Sequence, residues 1–151
     1  MKKFSLRTDQ TIAGIFSFEP GARLYRPLIG TEIPAGFPSP AQDYIESSLD
    51  LNRYLITHPT ATFFVKVQGL SMVNAGINPD DILIVDRSLE PSHNRIVIAV
   101  LDGELTVKRL RIKGERWFLV PENPEFSELE VTEEREFSIW GVVTYAIHKI
   151  R

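Results

Sequence analysis

Two apolar runs that meet at an Asp-Gly pair constrain this chain more than anything else in it. Residues 95–101 and 104–112 are separated only by Asp102-Gly103. A two-residue Asp-Gly loop supplies the positive φ angles of a type I′ hairpin turn, so the runs read as antiparallel strands. The turn fixes their register, with Leu101 opposite Glu104 and Val97 opposite Lys108. Period-two alternation continues on both sides. Residues 62–68 put Phe63, Val65 and Val67 on one face, residues 82–85 form a short apolar strand, and residues 117–120 and Phe137–Ile147 supply more. Phe137–Ile147, with Trp140, Val142 and Tyr145, is long and apolar for a small domain's edge, so it is expected to form part of a homodimer interface. From Thr62 onward the chain is predicted to be mostly β.

The first 38 residues differ. Their apolar residues keep no period, and Pro20, Gly21, Pro27, Gly30, Pro34 and Pro38 interrupt any long element. They read as an extended N-terminal arm, with short strands around residues 22–25 and 28–33, that adds little to the core. Ser39-Pro40-Ala41-Gln42 reads as a helix start: Ser39 caps, Pro40 suits the first helical position and Gln42 completes a capping box. Asp50 caps a second short helix over residues 51–57, with Leu51 and Leu55 on one face and His58-Pro59 ending it. The expected fold is a compact, mostly β body with one or two short helices at its start.

At 151 residues and 43% apolar composition, one globular domain can bury a core. The net charge of −3 declares neither a nucleic-acid nor a membrane partner. It is uneven, because residues 1–35 carry Lys2, Lys3, Arg7, Arg23 and Arg26 against Asp9, Glu19 and Glu32. A basic arm can lie against an acidic body, weakly in salt. With no cysteine, disulfides, thiolate metal sites and cysteine nucleophiles are excluded, and a cytoplasmic location is expected. No apolar run approaches the roughly 18 residues of a membrane span, and no apolar stretch follows Met1-Lys2-Lys3, so neither an anchor nor a signal peptide is expected. His58, His93 and His148 lack metal-ligand spacing, and no cofactor is expected.

Gly69-Leu70-Ser71-Met72 leaves the strand at residues 62–68. A serine on such a turn presents its hydroxyl at the sheet edge, with the Leu70 and Ser71 backbone N–H groups free to meet a developing oxyanion. Turn preference alone also explains a serine there. Lys108 shares its strand face with Thr106, Leu110 and Ile112, opposite Val97 and Ala99. Desolvation on an apolar face lowers a lysine's pKa, and a neutral amine can take a serine's proton. A lysine snorkelling at a sheet rim fits the same position. A triad with His93 is a further alternative. The cations Lys108, Arg109, Arg111, Lys113 and Arg116 come without interleaved aromatics and read as a solvated hairpin face.

The joint pattern resembles one family closely. It comprises Ala35-Gly36-Phe37-Pro38-Ser39-Pro40, Asp50-Leu51-Asn52, His58-Pro59 and Phe64-Val65-Lys66-Val67-x-Gly69-x-Ser71-Met72. It continues with Gly76-Ile77, Asp81-Ile82-Leu83-Ile84-Val85-Asp86, Asp102-Gly103-Glu104, Thr106-Val107-Lys108-Arg109-Leu110 and Gly141-Val142-Val143. Over about residues 35–151 these resemble the UmuD-type proteins of the LexA/UmuD self-cleaving serine–lysine peptidases.

The resemblance implies a LexA/UmuD C-terminal-like β domain, Ser71 as nucleophile, Lys108 as general base, and a cut between Ala35 and Gly36. Residues 1–35 would be removed and 36–151 would remain as the peptidase domain. Leu70 stands where many UmuD-like chains carry a polar residue, but that position offers its N–H. The resemblance also implies an SOS-response role: cleavage stimulated by RecA filaments on single-stranded DNA, then a trimmed homodimer serving a translesion polymerase subunit of the UmuC type. The alternative is a LexA-like repressor. It needs a helix-turn-helix domain of some 60 residues before the cut, where this chain has 35 residues rich in Gly and Pro. Direct sequence-specific DNA binding is therefore not expected.

Overall fold

The computed structural model describes residues 3–4, 7–21, 23, 25–29 and 45–151. The chain divides into two compact units, Pro20–Thr57 and a larger one comprising Met1–Glu19 and His58–Arg151. In chain order the strands are β1 (Lys3–Phe4), β2 (Ile12–Ser17), β3 (Tyr25–Ile29), β4 (Ile45–Asp50), β5 (Thr62–Val67), β6 (Ile82–Asp86), β7 (Ile96–Leu101), β8 (Glu104–Lys113), β9 (Arg116–Val120), β10 (Leu129–Val131) and β11 (Phe137–Ile147). One short helix, α1 (Leu51–Leu55), follows β4.

In the smaller unit β3 and β4 pair antiparallel, from Tyr25 opposite Asp50 to Ile29 opposite Ile45. Of the strands expected at residues 22–25 and 28–33, the described residues form the single strand β3. Asp50 caps α1 as its residue type predicts, its carboxylate accepting the Asn52 N–H at 3.0 Å. The helix closes at Leu55, two residues earlier than expected, because Ile56 is already extended ahead of His58-Pro59. Its expected apolar face is not buried: Leu51 is 59% exposed. The helix start read at Ser39–Gln42 lies outside the described residues, and the next described stretch is β4.

The larger unit is one antiparallel sheet in the order β1-β2-β5-β6-β11-β7-β8-β9-β10. The hairpin has the predicted register, Leu101 opposite Glu104 and Val97 opposite Lys108. Asp102 and Gly103 both take positive φ, 50° and 81°, as the type I′ turn requires. Strand β7 is apolar throughout because both its faces are covered. Ile98 joins a cluster with Val65, Val67, Leu83, Val85, Leu105 and Val107. Val97 and Ala99 join a second cluster with Leu110, Leu119 and Val142.

Two expectations need correction. Residues 12–17 are not a segment that adds little to the core: they form β2, and Ile12 and Ile15 are each 1% exposed inside the first cluster. The pairing of β2 with β5 slips between Ile12 and Gly14. That bulge turns two isoleucines three apart onto the same face and erases the alternation that would have revealed a strand. Just before β2, Thr8 bridges to Leu105, the Asp9 N–H donates to the Leu105 carbonyl at 2.9 Å, and the Leu105 N–H donates to Arg7 at 3.1 Å. The sheet therefore curls until the start of β2 meets β8.

Strand β11, in turn, is not an edge. Its first half pairs with β7 and its second half with β6, with Val142 shared by both ladders. Its register shifts twice, between Ile139 and Gly141 and between Val143 and Tyr145. Such bulges bend a strand and help a sheet to curl. Gly141 also permits close packing, since a Cβ there would sit 2.5 Å from Val85 Cγ1.

Candidate active site

Strand β5 ends at Val67, and the chain turns sharply at Gly69, whose φ of 80° an L-side chain rarely adopts. A Cβ on Gly69 would also lie 2.7 Å from the Gln10 carbonyl oxygen, so this glycine lets the N-terminal segment approach the serine loop. The Gln68 N–H donates to the Thr11 carbonyl at 2.8 Å. Beyond Ser71 the loop is fixed to residues 122–123. The Glu122 N–H donates to the Ser71 carbonyl at 2.8 Å, the Asn74 N–H to Glu122 at 2.8 Å, and the Asn123 side-chain amide to Leu70 at 2.9 Å. Ser71 is consequently 2% exposed on a loop with little freedom.

Lys108 lies on β8 with its side chain 15% exposed, on the face of Thr106 and Leu110 and opposite Val97. Its Nζ lies 3.4 Å from Ser71 Oγ. It donates to Thr106 Oγ1 at 2.8 Å and to the Val107 carbonyl at 3.0 Å. Burial pushes its pKa below the ordinary lysine value, and the Asp9 carboxylate, with Oδ2 4.0 Å from Nζ, pulls the other way. A cleft of about 200 Å³ opens beside it, with Leu101, Leu119 and Leu129 as its apolar lining and Asp9, Thr106 and Lys108 among its polar groups.

The structure thus brings Ser71 and Lys108 together. Among the hydrogen bonds of the described residues, none has the Leu70 or Ser71 N–H as donor. Ala35 and Gly36 lie outside the described residues. The histidines are engaged elsewhere: His58 Nδ1 with Asp86 at 2.6 Å, His148 Nδ1 with Asp81 at 2.6 Å, and His93 Nδ1 accepting the Ile112 N–H at 2.9 Å. Three of the hairpin cations pair with carboxylates, Arg109 with Glu122, Arg111 with Glu128 at 2.8 Å and Arg116 with Glu130 at 2.7 Å, while Lys113 lies over the Phe118 ring. Among the described residues no cluster of His, Cys, Asp or Glu could hold a metal ion, and no helix is long and apolar enough to cross a membrane.

Four residues around the site escaped the sequence reading. Glu122 and Asn123 tie down the serine loop, and Asp9 and Thr11 reach Lys108 and the backbone beside it. Asp9-Gln10-Thr11 does carry the sequence of an Asx turn, which foretells its local bond but not its distant partner.

Residues 27–144 match the family described as Peptidase S24-like. The chain is 49% identical over 128 residues to Protein ImpA of Salmonella typhimurium, covering 83% of this chain and 86% of that protein. It is 42% identical over 135 residues to Protein MucA of Escherichia coli, covering 88% and 92%. It is 40% identical over 136 residues to the LexA repressor of Ectopseudomonas mendocina (strain ymp), covering 87% and 66%. With a mostly β fold of the same kind and this extent of similarity, the chain belongs to the Peptidase S24-like family, as an SOS-response protein of the UmuD/ImpA type among the self-cleaving LexA/UmuD serine peptidases.

Proposed function

We propose that the chain cuts its own backbone between Ala35 and Gly36, with Ser71 Oγ as nucleophile and Lys108 Nζ as general base. The observation that carries this reading is the 3.4 Å approach of a largely buried lysine amine, its side chain 15% exposed, to the hydroxyl of a buried serine. The neutral amine takes the hydroxyl proton as Oγ attacks the Ala35 carbonyl carbon. The N–H groups of Leu70 and Ser71 receive the oxyanion. Collapse breaks the Ala35–Gly36 C–N bond, and the Lys108 ammonium returns its proton to the Gly36 amine. Water then releases Ala35 from the ester by the same base. Thr106 Oγ1, accepting from Nζ, orients the amine. The small Ala-Gly pair fits a confined site.

In this reading residues 1–35 leave and 36–151 act as a cytoplasmic homodimer. RecA filaments on single-stranded DNA stimulate the cut, and the trimmed dimer serves a translesion polymerase subunit of the UmuC type. Similarity to ImpA and MucA over more than four-fifths of each chain supports this assignment. Exposed apolar side chains near the C-terminus, Ile147 and Ile150, support assembly.

Intact-mass measurement after incubation at alkaline pH tests the chemistry. The wild type yields a 36–151 fragment and Ser71→Ala stays whole while remaining folded. A Ser71→Ala protein that still yields the fragment overturns the assignment.

A further inference from the structure

We propose that Asp9 restrains self-cleavage: its carboxylate, held against β8 by the segment leading into β2, stands at the Lys108 amine and keeps it from accepting the Ser71 proton near neutral pH. The inference rests on the reading of Lys108 as base. It concerns a part of the chain ahead of residue 27, where the family match begins.

Three fixed points hold the carboxylate in place. The Asp9 N–H donates to the Leu105 carbonyl of β8 at 2.9 Å. One carboxylate oxygen, Oδ1, accepts the Thr11 N–H at 2.8 Å and also the Thr11 hydroxyl. Thr11 Oγ1 in turn accepts the Val107 N–H at 3.2 Å, from the residue next to Lys108. With Oδ1 committed to Thr11, Oδ2 is the oxygen left to face Nζ, at 4.0 Å. Behind this turn, Ile12 and Ile15 anchor β2 in the core, so the carboxylate is not on a loose tail.

Among the described residues, few other charges bear on the amine. Glu104 lines the same cleft but is half exposed and pairs with Arg7 at 3.4 Å. Arg109 points to the opposite face and pairs with Glu122. Asp9 is thus the anion that addresses Lys108 directly. At this separation in a partly desolvated setting, a unit charge acts several times more strongly than in water and favours the ammonium. An ammonium has no lone pair for a proton. Burial favours the neutral amine and Asp9 opposes it. Any event that lifts residues 7–11 from β8 would remove the counter-charge and free the base. The restraint also lies on the segment that the cut would separate from the body.

Self-cleavage rates of the full chain from neutral to strongly alkaline pH test this on wild type, Asp9→Asn and Glu115→Gln. Asparagine keeps an Oδ1 acceptor for the Thr11 N–H. Glu115, exposed in the distant turn between β8 and β9, controls for a change of one charge. Asp9→Asn should move the half-maximal rate downward by on the order of one pH unit, about tenfold in rate near neutrality, with the alkaline plateau unchanged. Glu115→Gln should follow the wild type. An Asp9→Asn profile that overlays the wild type, or that loses its plateau, overturns the proposal. A second measurement needs no cutting: the NMR titration of the Lys108 Cε signal in Ser71→Ala, with and without Asp9→Asn. Lys108 should titrate at lower pH when Asp9 is absent, and an unchanged midpoint also overturns the proposal. Cleavage by Ser71→Ala would instead count against the dyad, leaving the titration to decide on Asp9.

Discussion

At the scale of single residues, the serine loop depends on a glycine that touches nothing catalytic. Gly69 takes φ 80°, and any Cβ there meets the Gln10 carbonyl oxygen at 2.7 Å. Gly69→Ala combines backbone strain with a clash against main chain, and it should cost about 1–3 kcal/mol. It should also slow self-cleavage, because relief of the clash moves either the serine loop or the N-terminal segment. Thermal unfolding and a cleavage time course check both effects, and a variant as stable and as fast as wild type contradicts this role. The position of Lys108 was legible in the sequence because a two-residue turn fixes strand register and hence the face of every residue across it. Asp9 was not, since its partner is chosen by how the sheet curls, which local pattern does not encode. The glycine of Gly69-x-Ser71 was visible as part of a motif, but its physical reason, the Gln10 backbone, became visible only with the fold.

At the scale of elements, strands with regular alternation or a defining turn were legible: β5, β6, β7, β8, β9 and β11 lie within two residues of their expected limits at each end. Strand β2 was hidden by its own bulge, and β10, three residues long, is too short to carry a period. The length and apolar character of β11 suggested an edge seeking a partner, yet those properties are satisfied within the sheet by β6 on one side and β7 on the other. Because β2 belongs to the core, Ile15→Ala should destabilise the uncut protein by about 2–5 kcal/mol, the usual range for truncating a buried isoleucine. Urea denaturation measures it, at a pH where cutting is slow or on a Ser71→Ala background. A loss below about 1 kcal/mol would mean that residues 12–17 are not held in the core as described.

At the scale of the whole molecule, the sheet that presents Ser71 and Lys108 also takes in residues 7–17, since β2 pairs with β5 and residues 7–9 bond to Leu105 of β8. In the proposed mechanism the protonation of Lys108 decides the rate of self-cleavage. Burial holds its pKa below that of a free lysine, against the pull of Asp9. In that mechanism the reactive form is the neutral amine, so the reactive fraction grows as pH rises through the depressed pKa and then saturates. Lys108→Arg should be inactive at every pH, because a guanidinium remains protonated throughout. The most direct test is the rate of self-cleavage from neutral to strongly alkaline pH, measured without stimulating partners on the wild type and on Lys108→Arg. With Lys108 as base, the wild type should show a single rise to a plateau, with its midpoint below about 10.4, and the variant should yield no fragment. A wild type already at its plateau near neutrality, with Lys108→Arg cutting at the same rate, would contradict that role.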